Sequence, residues 1–129
     1  MSRPWSGRHF LEVLTGPEPG AAVRDLADEV VWHVPGVPEF GGGTHRGRAA
    51  VVEFLARVSR LFPSGLTMCD AKEWSIAGGC VVECLLAGVT ASGLEYRNRY
   101  AFVFEHHGDG IVAIREYADT SLAERILRG

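Results

Sequence analysis

Leu94-Glu95-Tyr96-Arg97-Asn98-Arg99-Tyr100-Ala101-Phe102-Val103-Phe104-Glu105, a glycine turn, and Ile111-Val112-Ala113-Ile114-Arg115-Glu116-Tyr117-Ala118 decide the fold of this chain. Side chains alternate across a strand, so residues two apart share a face. Tyr96, Asn98, Tyr100, Phe102 and Phe104 then lie on one face of the first stretch, with Arg97 and Arg99 on the other. In the second stretch Val112, Ile114, Glu116 and Ala118 share a face that is apolar apart from Glu116, and Arg115 lies opposite. Two long strands are predicted, joined by the turn His107-Gly108-Asp109-Gly110. Each carries polar groups inside an aromatic or aliphatic face. A carboxylate so placed has its pKa pushed up by desolvation.

Working back from these strands, Leu66–Ile76 and Cys80–Thr90 read as two more, with turns at Ala77-Gly78-Gly79 and Ala91-Ser92-Gly93. Gly47–Leu61 is the clearest helix, with Ala50, Val51, Phe54, Leu55, Val58, Leu61 and Phe62 on one broad face. Val37–Gly43 is a loop, and Val30–Val34 a strand closed by Pro35-Gly36. Before it, short helices are predicted at Trp5–Leu14 and Glu18–Ala27. After the last strand, Asp119 is placed to cap a final helix, Leu122–Leu127. Helices followed by a strand meander make an α+β order.

The chain has 129 residues, the length of one domain, here 1–129. Its apolar fraction of 47% predicts a substantial core, and a net charge of −3 without a basic patch argues against nucleic acid. No apolar run is long enough for a membrane helix, and no signal peptide is read in Met1–His9, so a cytoplasmic protein is expected. Cys69, Cys80 and Cys84 read as free, buried thiols without zinc-ligand spacing. Gly41-Gly42-Gly43 does not join a strand to a helix, so it is no dinucleotide loop. No metal and no cofactor are expected.

Asp28-Glu29-Val30-Val31-Trp32-His33-Val34-Pro35-Gly36 and Gly43-Thr44-His45-Arg46-Gly47-Arg48, taken with the two strands above, resemble the small cone-shaped fold shared by nuclear transport factor 2, ketosteroid isomerase and the SnoaL-like polyketide cyclases. The resemblance implies a strongly curved mixed sheet wrapped around a long helix plus short helices, with one central pocket. It covers Phe10 to Leu127. In the isomerases a carboxylate base sits where this chain has His33, and the acid of the oxyanion hole where it has Tyr100. Their second donor, a tyrosine, corresponds to Phe10, which cannot donate. Relatives resembling limonene epoxide hydrolase use a carboxylate at the position of Glu116 and an Arg-x-Asp pair where this chain has Asn98 and Tyr100. The Trp-His-Val-Pro-Gly segment looks most like the SnoaL-like group.

What the resemblance implies is a cofactor-independent acid/base enzyme acting on a small, apolar, oxygenated molecule of polyketide or terpenoid type. The reaction would be an isomerisation, a cyclisation or an epoxide opening. His33 would move a proton, since imidazole changes charge near neutral pH. Glu116 would be the second acid/base or would orient the first. Asn98 and Tyr100 would hold the oxygen on which charge develops. Trp32, Phe10, Phe54, Tyr96, Phe102 and Ile114 would line the site. The alternative is a non-catalytic ligand-binding or dimerisation module of the same fold. Convergence of His33 and Glu116 on one cavity separates the two, and divergence favours the binding module.

Plainer roles stand beside these. Arg97, Arg99 and Arg115 read as outer-face partners of Glu83, Glu95 and Glu105. Trp74 reads as core or interface, His45-Arg46 as a solvated helix entry, and His106-His107 as exposed. A homodimer formed through the outer sheet face is expected.

Overall fold

The computed structural model describes residues 5–108 and 110–129. A first helix, α1 (Gly7–Leu14), is capped by Ser6, whose side chain accepts from the His9 amide at 3.2 Å. It buries Phe10 and Leu11. The predicted second helix, Glu18–Ala27, is instead a 3-10 turn over Pro19–Asp25. Pro19 and Gly20 are poor residues for an α-helix interior, and the chain becomes extended at Leu26, ahead of the predicted Val30.

The strands are β1 (Leu26–Val34), β2 (Gly43–Arg46), β3 (Leu66–Ile76), β4 (Gly79–Val89), β5 (Glu95–His107) and β6 (Gly110–Ala118). They form one sheet in the order β2-β1-β6-β5-β4-β3. β1 runs parallel to β6 and every other neighbouring pair is antiparallel, so the sheet is mixed. Asp109, in the predicted turn between β5 and β6, lies outside the described residues.

β2 falls at the end of the predicted loop. It pairs Thr44 with His33 and His45 with Trp32. The chain reaches this pairing through a tight approach: a Cβ on Gly42 would lie 2.1 Å from the Gly36 carbonyl oxygen. Only glycine fits there. His45, expected to be solvated, stacks on Phe54 with ring centroids 4.6 Å apart, and its Nε2 lies 2.7 Å from the Gly41 oxygen.

The long helix α2 (Arg48–Leu61) buries Val51 and Phe54 against the concave side of the sheet. The core is aromatic. Phe10 lies between Trp32 and Phe104, Trp32 meets Phe54 edge-on at 5.4 Å, and Tyr100 stacks on Phe102 at 5.5 Å. Asp119 caps α3 (Thr120–Leu127), its Oδ1 accepting from the Leu122 amide at 3.0 Å.

Several polar and aromatic residues outside the cavity differ from expectation. Arg115 pairs with Glu105 as expected, but Arg99 meets Asp70 at 3.6 Å, because a bulge between Cys69 and Lys72 brings Asp70 out with φ 53°. Trp74 is exposed, and so is Cys69; Cys80 and Cys84 are buried, and all three thiols are free. His106 is half-buried, stacked on Trp5 at 4.6 Å, and burial lowers its pKa.

Candidate functional site

Curvature of the sheet and the three helices leave a cavity of about 490 Å³ on the concave side. That size suits a small organic ligand. Its inner wall comes from β1, β5 and β6. Alternation turns Trp32 inward from β1, Tyr96, Tyr100 and Phe102 inward from β5, and Glu116 inward from β6. Phe54 closes the α2 side, and Thr120, Glu124 and Leu127 of α3 stand at the rim.

Glu116 holds the centre of this wall. It is paired across the ladder with Phe102, and its Oε1 accepts from the Trp32 indole Nε1 at 3.1 Å. That bond is supplied by sheet geometry: Trp32 sits opposite Ile114 in the parallel β1–β6 pair. Burial pushes the Glu116 carboxyl up to about 7, and the Trp32 hydrogen bond opposes the rise. Among the described residues no Lys, Arg or His lines the cavity to stabilise the anion. The other acidic lining residue, Glu124, is paired with Arg128 at 2.7 Å. Near neutral pH Glu116 can therefore either hold a proton or accept one.

Beside it is a hydroxyl pair. Tyr96 and Tyr100 lie 2.6 Å apart through their oxygens, and both phenols are pushed above their ordinary range, chiefly by burial. The Asn98 Nδ2 donates to the Tyr96 hydroxyl and to the Asp119 carbonyl, each at 3.0 Å. Asn98 is buried behind the tyrosines and does not line the cavity, so it stands one layer back from the oxygen-holding position expected for it.

His33 lies elsewhere. It is exposed on the outer face, and its Nδ1 is 3.1 Å from the Thr44 hydroxyl. The strand alternates as expected, but Val30 and Trp32 are the buried set. An indole gains more from burial than an imidazole, and Trp32 takes the inward position. His33 and Glu116 do not converge, and the expected two-residue proton path is absent. The expected lining also narrows: Phe10 and Ile114 are fully buried core residues behind the wall. Trp32, Phe54, Tyr96 and Phe102 reach the cavity. The Trp32–Glu116 hydrogen bond was missed. The size of Trp32 and its alternation with His33 were the available signal. Cys84 is no nucleophile, since burial raises its thiol to about 11.

No protein-family model matches the sequence, and no curated protein matches it. Solved structures do. An NTF2-like protein from Anabaena variabilis is 26% identical, with a TM-score of 0.77 over 88% of this chain and 84% of that one. TerC, co-crystallised with polyporic acid, is 16% identical, with a TM-score of 0.81 over 93% of each chain. A candidate isomerase from Bacillus subtilis is 20% identical, with a TM-score of 0.80 over 95% of this chain and 89% of that one. The chain has the NTF2-like fold, the nuclear transport factor 2-like α+β architecture with an open, curved sheet.

Proposed function

We propose that this chain binds a small, uncharged, largely apolar molecule bearing at least one oxygen, with that oxygen against Glu116 and Tyr100. The observation that carries this reading is a cavity of about 490 Å³ whose charged lining, among the described residues, is two glutamates and no cation. A carboxylate or phosphate ligand would meet the negative Glu116 with nothing to neutralise it. The loss of the His33–Glu116 pair favours binding over the two-residue acid/base mechanism. The test is a crystal soak or an NMR screen with matched neutral ketones and carboxylates of one ring skeleton. Ketones should perturb Trp32 and Tyr100 above neutral pH while the carboxylates do not. Equal binding of both series would remove the reading.

A second reading has its own observation, the Glu116 carboxyl lifted to about 7 beside the Tyr96–Tyr100 pair. Glu116 alone would then move the proton, and Tyr100 would hold the developing oxyanion, giving a cofactor-independent isomerisation, cyclisation or epoxide opening. The co-crystal of TerC with polyporic acid and the candidate isomerase from Bacillus subtilis support small-molecule chemistry on this fold by analogy. The SnoaL-like assignment belongs to this reading.

We also propose a cytoplasmic homodimer of a single-domain chain, paired through the outer face where Trp74, Ile76 and Tyr117 are exposed. Light scattering should give the dimer mass at micromolar concentration, and a monomer would remove this claim. Among the described residues no helix is long and apolar enough to cross a membrane.

A further inference from the structure

Behind the Tyr100 hydroxyl two more side chains of β5 stand in series. The buried Asn98 amide reaches two partners through Nδ2, the Asp119 main-chain carbonyl and the Tyr96 hydroxyl, each at 3.0 Å. A main-chain carbonyl can only accept. It therefore decides which end of the amide faces it, and the second amide hydrogen goes to Tyr96. The carbonyl is itself held in place, because Asp119 directly follows β6 and caps α3. With its oxygen accepting from Asn98, Tyr96 has one acceptor for its own proton among the described side chains, the Tyr100 oxygen 2.6 Å away. Tyr100 then accepts, and its proton remains for whatever fills the cavity. In the opposite sense the proton of Tyr96, a residue 2% exposed, has no acceptor among the described side chains, which carries the cost of an unmade hydrogen bond. Bonds in such a series also strengthen one another.

We infer that Asn98 is a positioning residue that sets the polarity of the cavity, making Tyr100 a donor through Tyr96, so that the site selects uncharged ketone-, enone- or quinone-type molecules. The inference rests on the proposed pocket and adds to it which kind of oxygen is taken and what decides that.

Asn98→Asp reverses the series. Whether ionised or protonated, an aspartate there presents an oxygen to Tyr96. The Tyr96 proton turns towards it, and Tyr100 donates backwards to Tyr96, away from the cavity. Adding Tyr96→Phe to this variant cuts the message and frees Tyr100. A purely structural role for Asn98 would not show that rescue.

The probes are 1-tetralone and tetralin, one skeleton with and without a carbonyl, measured by calorimetry at about pH 8.5, where Glu116 is ionised and offers no proton. Infrared spectra record the carbonyl stretch of bound tetralone. The parent should favour tetralone about 10-fold, the size of one net hydrogen bond, with a lowered carbonyl stretch. Asn98→Asp should bring the ratio to about 1 and raise the stretch towards its value in a hydrocarbon, and the double variant should restore both. Should Asn98→Asp not fold, Asn98→Leu removes the bias without a charge. It should give an intermediate ratio and a carbonyl band split between bonded and free. A parent that binds both probes equally overturns the inference and leaves the pocket standing. Parental ratios in Asn98→Asp, or in Asn98→Leu where that variant is the one measured, overturn it as well. Failure of both probes to bind overturns the pocket reading together with the inference.

Discussion

Trp32 and His33 are neighbours on one strand, yet they belong to different solvents. Trp32 is 2% exposed, touches Phe10 and Phe54, and donates to a buried carboxylate. His33 is exposed and faces Thr44. On the adjacent strand, β6, the contrast repeats at Glu116 and Arg115. Glu116 faces the cavity with no cation among the described lining residues, and Arg115 meets Glu105 on the outer face. Identical backbone pairing therefore produces an inner surface where a carboxyl is hard to ionise and an outer one where charges are screened. The chemistry depends on the phase of the strand, and a shift of one residue exchanges the two surfaces.

The contrast should be largest in stability. Trp32→Ala removes a ring from the aromatic core and should cost about 3–5 kcal/mol. His33→Ala should fall within about 0.5 kcal/mol of the parent, as an exposed substitution does. Urea denaturation of both variants checks this, and similar losses would mean that the inner and outer faces are assigned wrongly.

The next effect is a pH dependence. The Glu116 carboxyl is raised from an ordinary 4.5 to about 7 in the folded chain. A folded state that holds its proton more tightly is fully stable below the unfolded value and loses that contribution as pH rises through about 7. The loss should approach about 3 kcal/mol. Glu116→Gln keeps the acceptor for Trp32 but cannot ionise, so it should flatten the curve and exceed the parent in stability at alkaline pH. Parallel curves for the two proteins would show that burial does not penalise the anion.

If the proton-transfer reading holds, Glu116→Gln should lower turnover by about 100-fold or more, the usual size of general acid/base catalysis. His33→Gln should leave turnover unchanged and should not move any limb of the pH–rate profile. A large effect of His33→Gln would return the outer face to the mechanism. The smallest effect belongs to Arg115→Ala, which breaks a partly exposed ion pair on that face. It should change stability by less than about 1 kcal/mol, and less still at high salt.

Much of this arrangement is visible before folding. The alternation in β5 places Tyr96, Asn98, Tyr100, Phe102 and Phe104 on one face, and all five point inward. Alternation also separates Trp32 from His33, but in a strand apolar on both sides it does not say which face is inside. β2 carries no period of its own: Gly43-Thr44-His45-Arg46 is a strand because β1 offers an edge. The 3-10 turn at Pro19–Asp25 was hidden because Ala21, Ala22 and Val23 suit a helix, while Pro19 and Gly20 do not. The Asn98–Asp119 contact joins residues on separate elements, which no local pattern reports.

Titration of Glu116 itself tests the central claim most directly. With glutamate labelled at the side-chain carboxyl carbon, one resonance should be absent from Glu116→Gln and so identify the residue. In the parent that resonance should shift with a midpoint near pH 7. A midpoint at the ordinary 4.5 would contradict the account, because the carboxyl would then be as well solvated as one on the outer face.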